Sequence, residues 1–138
     1  GMFMYQTNQQ FAHPTGCAIA CAMLDLVEKE DFPAQAAEKG ARLLANLKDA
    51  LGNHPNVGEV RGLGMMCAVE FVKDRATKEV FDAADGIGAK VNAQTMERGM
   101  FSRVRGDAYY IAPPIVTNDA TLDRIVEIMA ESTKAVLG

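Results

Sequence analysis

Apolar and small residues run almost all round the stretch HPTGCAIACAMLDLVEKE, residues 13–30. A helix without a polar face is normally buried between two bodies. The pattern therefore predicts a long buried-type helix, ended by Pro33. Over residues 34–51, Ala37, Leu43, Leu44, Leu47 and Leu51 recur at helical spacing and Gly52 supplies a stop. NHPNV reads as a turn. Val57 to Val60 reads as a short strand, and Gly62 and Gly64 permit a bend or bulge. Met65 to Val72 is apolar except for Glu70 and predicts the central strand. A third helix is expected from residues 82–85 onward, carrying Ile87, Val91 and Met96 and stopping at Gly99. Met100 to Val104 and Ala108 to Ile111 read as strands joined by a turn at RGD. The last helix starts after Thr117 or Asn118, with Leu122, Ile125, Val126, Met129 and Val136 as its inner stripe.

Local strand pairs between helices predict an α+β fold. Its sheet is small, mostly antiparallel and of three to four strands, with helices packed on one face. The expected division is an N-terminal segment with its helix, residues 1–32, and a compact domain, residues 33–138.

Composition narrows the classes of function. A chain of 138 residues with 49% hydrophobic content and a mean hydropathy of −0.04 fits a soluble globular protein able to build a core. A net charge of −4 gives no nucleic-acid footprint. The apolar run before Glu28 is too short to span a bilayer, and no signal peptide is evident. Cys17, Cys21 and Cys67 read as small core residues of a reducing compartment, which points to the cytoplasm.

Many chemistries lack their motif. GLGMMC has no Lys-Ser/Thr ending for a phosphate loop. His13 and His54 have no metal-binding context and read as helix-entry and turn residues, so no metal is expected. Glu70 reads as a paired charge in a strand. Arg105-Gly106-Asp107 reads as a plain turn. Arg61 and Arg103 stand out, each at a strand end near glycine. Arginine's planar fork matches a carboxylate in two-point fashion, although a solvated strand end accounts for either residue on type alone.

Three segments, in order, resemble the C-terminal part of the class III aminotransferases, the pyridoxal-phosphate-dependent fold type I family that handles ω-amino groups. They are AHPTGCAIACAMLDLVEKE, HPNVGEVRGLGMMCAVEFVKD and SRVRGDAYYIAPPIV. The resemblance covers nearly the whole chain from residue 12. It implies that Arg103 is the mobile arginine that binds a substrate carboxylate and swings away for amines lacking one. Ornithine-type members carry arginine at the position of Tyr110. The pattern therefore leans toward the ω-amino acid:pyruvate branch. The family threonine that reaches the phosphate of the partner subunit's cofactor falls at Gln9, with Thr7 out of register. The resemblance thus offers Gln9 and Thr7 as cofactor-binding positions.

The family's Schiff-base lysine and pyridine-facing aspartate lie upstream of the matched segments. The resemblance therefore implies a small C-terminal domain that has no turnover alone, with no catalytic residue of its own. Pyridoxal 5′-phosphate is expected in the full-length parent and not tightly bound here. Lys73, Lys78 and Lys90 read as solvated. Expected partners are an aminotransferase large domain, if encoded separately, and further copies of the chain, with no nucleic acid and no membrane. A stand-alone module that binds a small molecule or dimerises is the alternative, and a large-domain reading frame beside the gene separates the two.

Overall fold

A computed structural model describes residues 13–138. Thr7 and Gln9 lie outside the described residues. The chain divides into two compact units, one ending at Pro33 and the other spanning Ala34–Gly138.

The first unit contributes α1 (Pro14–Lys29), with Pro14 opening the helix and Lys29 in its last turn. None of its residues is buried. The apolar side chains of this helix of buried type are uncovered in this chain. The assignment of Cys17 and Cys21 to a core is corrected for the same reason. Both are exposed, and only Cys67 is buried.

Helix α2 (Phe32–Leu51), which belongs to the second unit from Ala34 on, buries Gly40, Leu43, Leu47 and Leu51 along one stripe. Then follow β1 (Val57–Leu63), β2 (Met66–Phe71), α3 (Ile87–Glu97), β3 (Arg103–Arg105), β4 (Ala108–Ile111) and α4 (Asp119–Leu137). The four strands form one sheet in the order β1-β2-β4-β3, and every pairing is antiparallel. Thus β2, the most continuously apolar strand, lies inside the sheet. Val57, Val60, Cys67, Val69, Phe71, Tyr109 and Ile111 share a buried cluster with Leu43 and Leu47 of α2, Ile87 and Val91 of α3, and Leu122 and Met129 of α4. Strand alternation turns the remaining residues to the opposite face.

Strand β1 runs on to Leu63, past its expected end at Val60, and two further elements differ from their sequence reading. The segment from residue 82 makes a single 3-10 turn (Ala83–Asp85), closed by the Asp82 carboxylate accepting the Ala84 N–H at 2.9 Å. Gly86 then adopts φ 57° and starts α3 afresh. Residues 100–102 are not strand. The Met100 N–H still bonds the Thr95 carbonyl at 2.9 Å, so the chain folds over the end of α3 before it can pair. Met96 consequently stands outside, and Thr95 points inward.

Caps and ion pairs fasten the helices. Asn118 accepts the Thr121 N–H at 2.9 Å and caps α4. Arg42 of α2 makes a two-point bond to Asp123 of α4, at 2.7 and 3.0 Å, and pairs with Asp119. No helix among the described residues is long and apolar enough to cross a membrane.

Candidate functional site

The open face of the sheet carries the candidate chemistry. Strand register aligns Arg61, Ala68, Tyr110 and Arg103 in one row across all four strands. The adjacent row is Glu59, Glu70, Ala108 and Arg105. Directly opposed and diagonal side chains on one face lie within reach of each other. The register therefore decides which arginine finds a partner.

Arg61 finds two. Its guanidinium lies 2.5 Å from a Glu70 carboxylate oxygen and 2.8 Å from one of Glu59. The bond to Glu70, then the one to Glu59, holds Arg61 still more firmly in its charged form. The Arg103 guanidinium has no hydrogen bond or ion pair to any described residue, because its cross-strand neighbour is Tyr110 and not a carboxylate. The two arginines that sequence alone left level are separated by geometry: Arg61 is tied into the sheet, and the Arg103 guanidinium has no partner among the described residues. With both glutamates engaged by Arg61, the edge formed by Arg103 and Arg105 is electropositive in a chain of net charge −4.

Arg103 lines an open cleft of about 1050 Å³ together with Met66, Phe101, Ser102, Val104, Arg105, Tyr110 and Ala112. Apolar groups dominate one end of it, with Phe101 85% and Met66 70% exposed. Ser102 donates its hydroxyl to the Tyr110 carbonyl, which closes the ladder where β3 begins. An arginine fork beside an uncovered apolar wall can hold a carboxylate while the rest of a small organic molecule lies against the wall. A smaller hollow of about 310 Å³ beside β1 mixes Lys48, Asn53, Glu59 and Arg75.

The other candidates resolve as structural groups. Half-buried His54 accepts the Asn56 N–H through Nδ1 at 3.1 Å. Burial pushes the Cys67 thiol up from its ordinary range, so it stays protonated. Among the described residues no cluster of three or more His, Cys, Asp or Glu is placed to hold a metal ion. The described lysines do not fit a pyridoxal phosphate site. Lys39 donates to the Ile115 carbonyl at 2.8 Å, Lys73 pairs with Glu79 at 2.6 Å, and Lys29, Lys48, Lys78, Lys90 and Lys134 are exposed.

A profile of the class III aminotransferases matches residues 6–132. The chain belongs to the class III aminotransferase family. A diaminobutyrate–2-oxoglutarate transaminase of Halomonas elongata is 40% identical over 126 residues, which is 90% of this chain and 26% of that protein. A thermostable (S)-enantioselective omega-transaminase from Thermomicrobium roseum superimposes with a TM-score of 0.88 at 38% identity, over all of this chain and 30% of that one. The omega-transaminase of Pseudomonas jessenii, solved in complex with PMP, gives 0.74 at 35% identity over 82% of this chain and 26% of its own. The chain thus spans under a third of the length of these class III aminotransferases.

Sequence reading missed one residue of the site's frame, Asp107. Its carboxylate accepts the Gly88 N–H at 2.9 Å. The Gly-Asp pair signalled a turn, but nothing local signals a bond to a residue 19 positions earlier.

Proposed function

We propose that this chain forms the substrate-carboxylate wall of a pyridoxal-phosphate-dependent aminotransferase that moves an amino group from an amine or ω-amino acid to a keto acid. The observation that carries this is Arg103, whose guanidinium has no partner among the described residues and lines the cleft on the open sheet face, while Arg61 is consumed by Glu59 and Glu70.

Pyridoxal phosphate supplies the electron sink for amino transfer in such enzymes. The described lysines do not suit its attachment, so the cofactor belongs with the rest of the enzyme. This chain contributes binding and orientation. Arg103 pairs with the keto-acid carboxylate, and the apolar wall of Phe101 and Met66 receives the remaining carbon skeleton. Because no described residue holds the guanidinium, it can withdraw at little cost when the substrate lacks a carboxylate. Tyr110, where ornithine-type relatives resemble each other in carrying arginine, favours pyruvate-type acceptors. Gln9 and Thr7 are proposed to face the cofactor phosphate of a partner subunit. The reading also places the enzyme in the cytoplasm as a homo-oligomer, with a large domain as this chain's partner.

The test is a chimera in which this chain replaces the matching segment of the Thermomicrobium roseum relative. Arg103→Ala removes a charge-assisted pair and should lower kcat/KM for pyruvate about ten- to a hundredfold, from roughly 1.5–3 kcal/mol. A neutral aldehyde acceptor should lose far less, and Arg61→Ala should show no such selectivity. Equal losses for both acceptors in Arg103→Ala would sink the reading.

A further inference from the structure

Helix α3 begins without the usual means of satisfying its first turn. The opening N–H groups of a helix need acceptors from outside it. Its N-cap is Gly86, held at φ 57°, which has no side chain to offer. Asp107 supplies the missing acceptor from the β3–β4 turn: its Oδ1 takes the Gly88 N–H at 2.9 Å in a half-buried setting. A carboxylate at a helix N-terminus is further favoured by the helix dipole.

The approach depends on two glycines. A Cβ on Gly88 would lie 2.2 Å from the Gly106 carbonyl oxygen, so only glycine lets the turn seat on the helix. Gly106 opens the two-residue turn at φ 59°, which matches the twist of a tight hairpin. The Asp107 carbonyl also accepts the Phe71 N–H at 2.9 Å and ties the turn to β2.

Arg103 is the first residue of the strand this turn carries. That strand is three residues long, lies at the edge of the sheet and pairs only with β4. So short a ladder fixes direction weakly. The Gly88–Asp107 joint adds a second point of attachment at the far end of the hairpin.

We propose that Asp107 is a positioning residue for Arg103. By capping α3 from the hairpin, it holds the base of β3 still, so that only the guanidinium moves between its bound and withdrawn places. This inference rests on the reading of Arg103 as the carboxylate-binding residue.

Asparagine keeps an oxygen acceptor and alanine does not, so Asp107→Asn and Asp107→Ala separate the cap from mere presence of a polar turn. In the 138-residue chain, amide hydrogen exchange in Asp107→Ala should quicken at Gly88 and in the β3–β4 hairpin by roughly three- to tenfold. The β1–β2 amides should keep their rates, and Asp107→Asn should stay close to wild type. Unchanged exchange at Gly88 and the hairpin, or equal acceleration through the whole sheet, overturns the proposal. In the chimera, the ratio of KM for pyruvate to KM for a neutral aldehyde is measured for Arg103→Ala, Asp107→Ala and Asp107→Asn. The expected result is a rise in this ratio for Arg103→Ala and a smaller rise, roughly three- to tenfold, for Asp107→Ala, restored by asparagine. A rise for Arg103→Ala without one for Asp107→Ala overturns the positioning role and leaves Arg103 standing. No rise for Arg103→Ala removes both readings together.

Discussion

Arginines with the same chemistry and similar exposure are given different work by what stands two residues away or across the ladder. Arg61 has Glu59 on its own strand and Glu70 on the next. Exposed pairs of this kind contribute about 0–1 kcal/mol each, enough to occupy the guanidinium and too little to anchor the fold. Arg103 faces a phenol ring. Beneath the same rows, Tyr109 and Thr95 form a buried pair with their oxygens 2.8 Å apart. Thr95 spends its only hydroxyl proton on the Asn92 carbonyl at 2.9 Å, so Tyr109 must be the donor between them. Burial pushes the Tyr109 phenol above its ordinary value. The folded state therefore binds this proton more tightly than the unfolded chain. Its contribution is fully present below the unfolded phenol value near 10 and is lost as pH rises from there through the raised folded value. Tyr109→Phe should cost about 0.5–1.5 kcal/mol at neutral pH and flatten the alkaline decline, as read by urea unfolding at a series of pH values. A decline equally steep in the variant would show that other groups cause it. None of this pairing is visible in the sequence, because Thr95 and Tyr109 become neighbours only when α3 lies across β4.

At the scale of elements, periodicity was enough wherever one stripe faced the core. Leu43, Leu47 and Leu51 marked the inner side of α2, and Leu122, Val126 and Met129 that of α4. It was not enough where a backbone bond interrupts the pattern. The Met100 N–H bound to Thr95 delays β3, and the left-handed Gly86 splits the 3-10 turn from α3. Periodicity also said nothing about how closely elements approach. Gly40 is buried in α2, and a Cβ placed there would meet the Gly64 carbonyl oxygen of the β1–β2 turn at 2.1 Å. The turn cannot yield easily, since Gly64 itself sits at φ 54°. In a free helix, replacing glycine by alanine stabilises by up to about 1 kcal/mol. Here the sign should reverse. Gly40→Ala should destabilise the chain by about 1–3 kcal/mol through forced separation of α2 from the hairpin, read as a lower unfolding midpoint with an unchanged denaturant slope. A gain in stability would mean that α2 and the turn are not in close contact.

At the scale of the molecule, the chain leaves exposed much of what a folded protein normally covers. On α1, Ile19 and Leu24 are 65% and 64% exposed, and Met23 and Leu26 also stand in solvent. Ile19, Met23 and Leu26 share one side of the helix, and Ala20, Leu24 and Val27 the next, so the apolar surface runs well beyond a single stripe. Contiguous surface of this kind tends to find a partner. On the proposed reading, the large domain would be one cover for it. When the chain is alone, a second copy is the cover at hand. Two α1 helices can bury their apolar sides against each other without any polar group losing its partner, because the helix backbone is already bonded. The chain should therefore run as a dimer or larger assembly in light scattering, increasingly so with concentration. Ile19→Lys with Leu24→Lys should return it to a monomer with its circular dichroism intact. A clean monomer of the unaltered chain at high concentration would contradict the expectation, and so would an assembly indifferent to the two lysines, which would point instead to the open sheet face around Leu63 and Phe101.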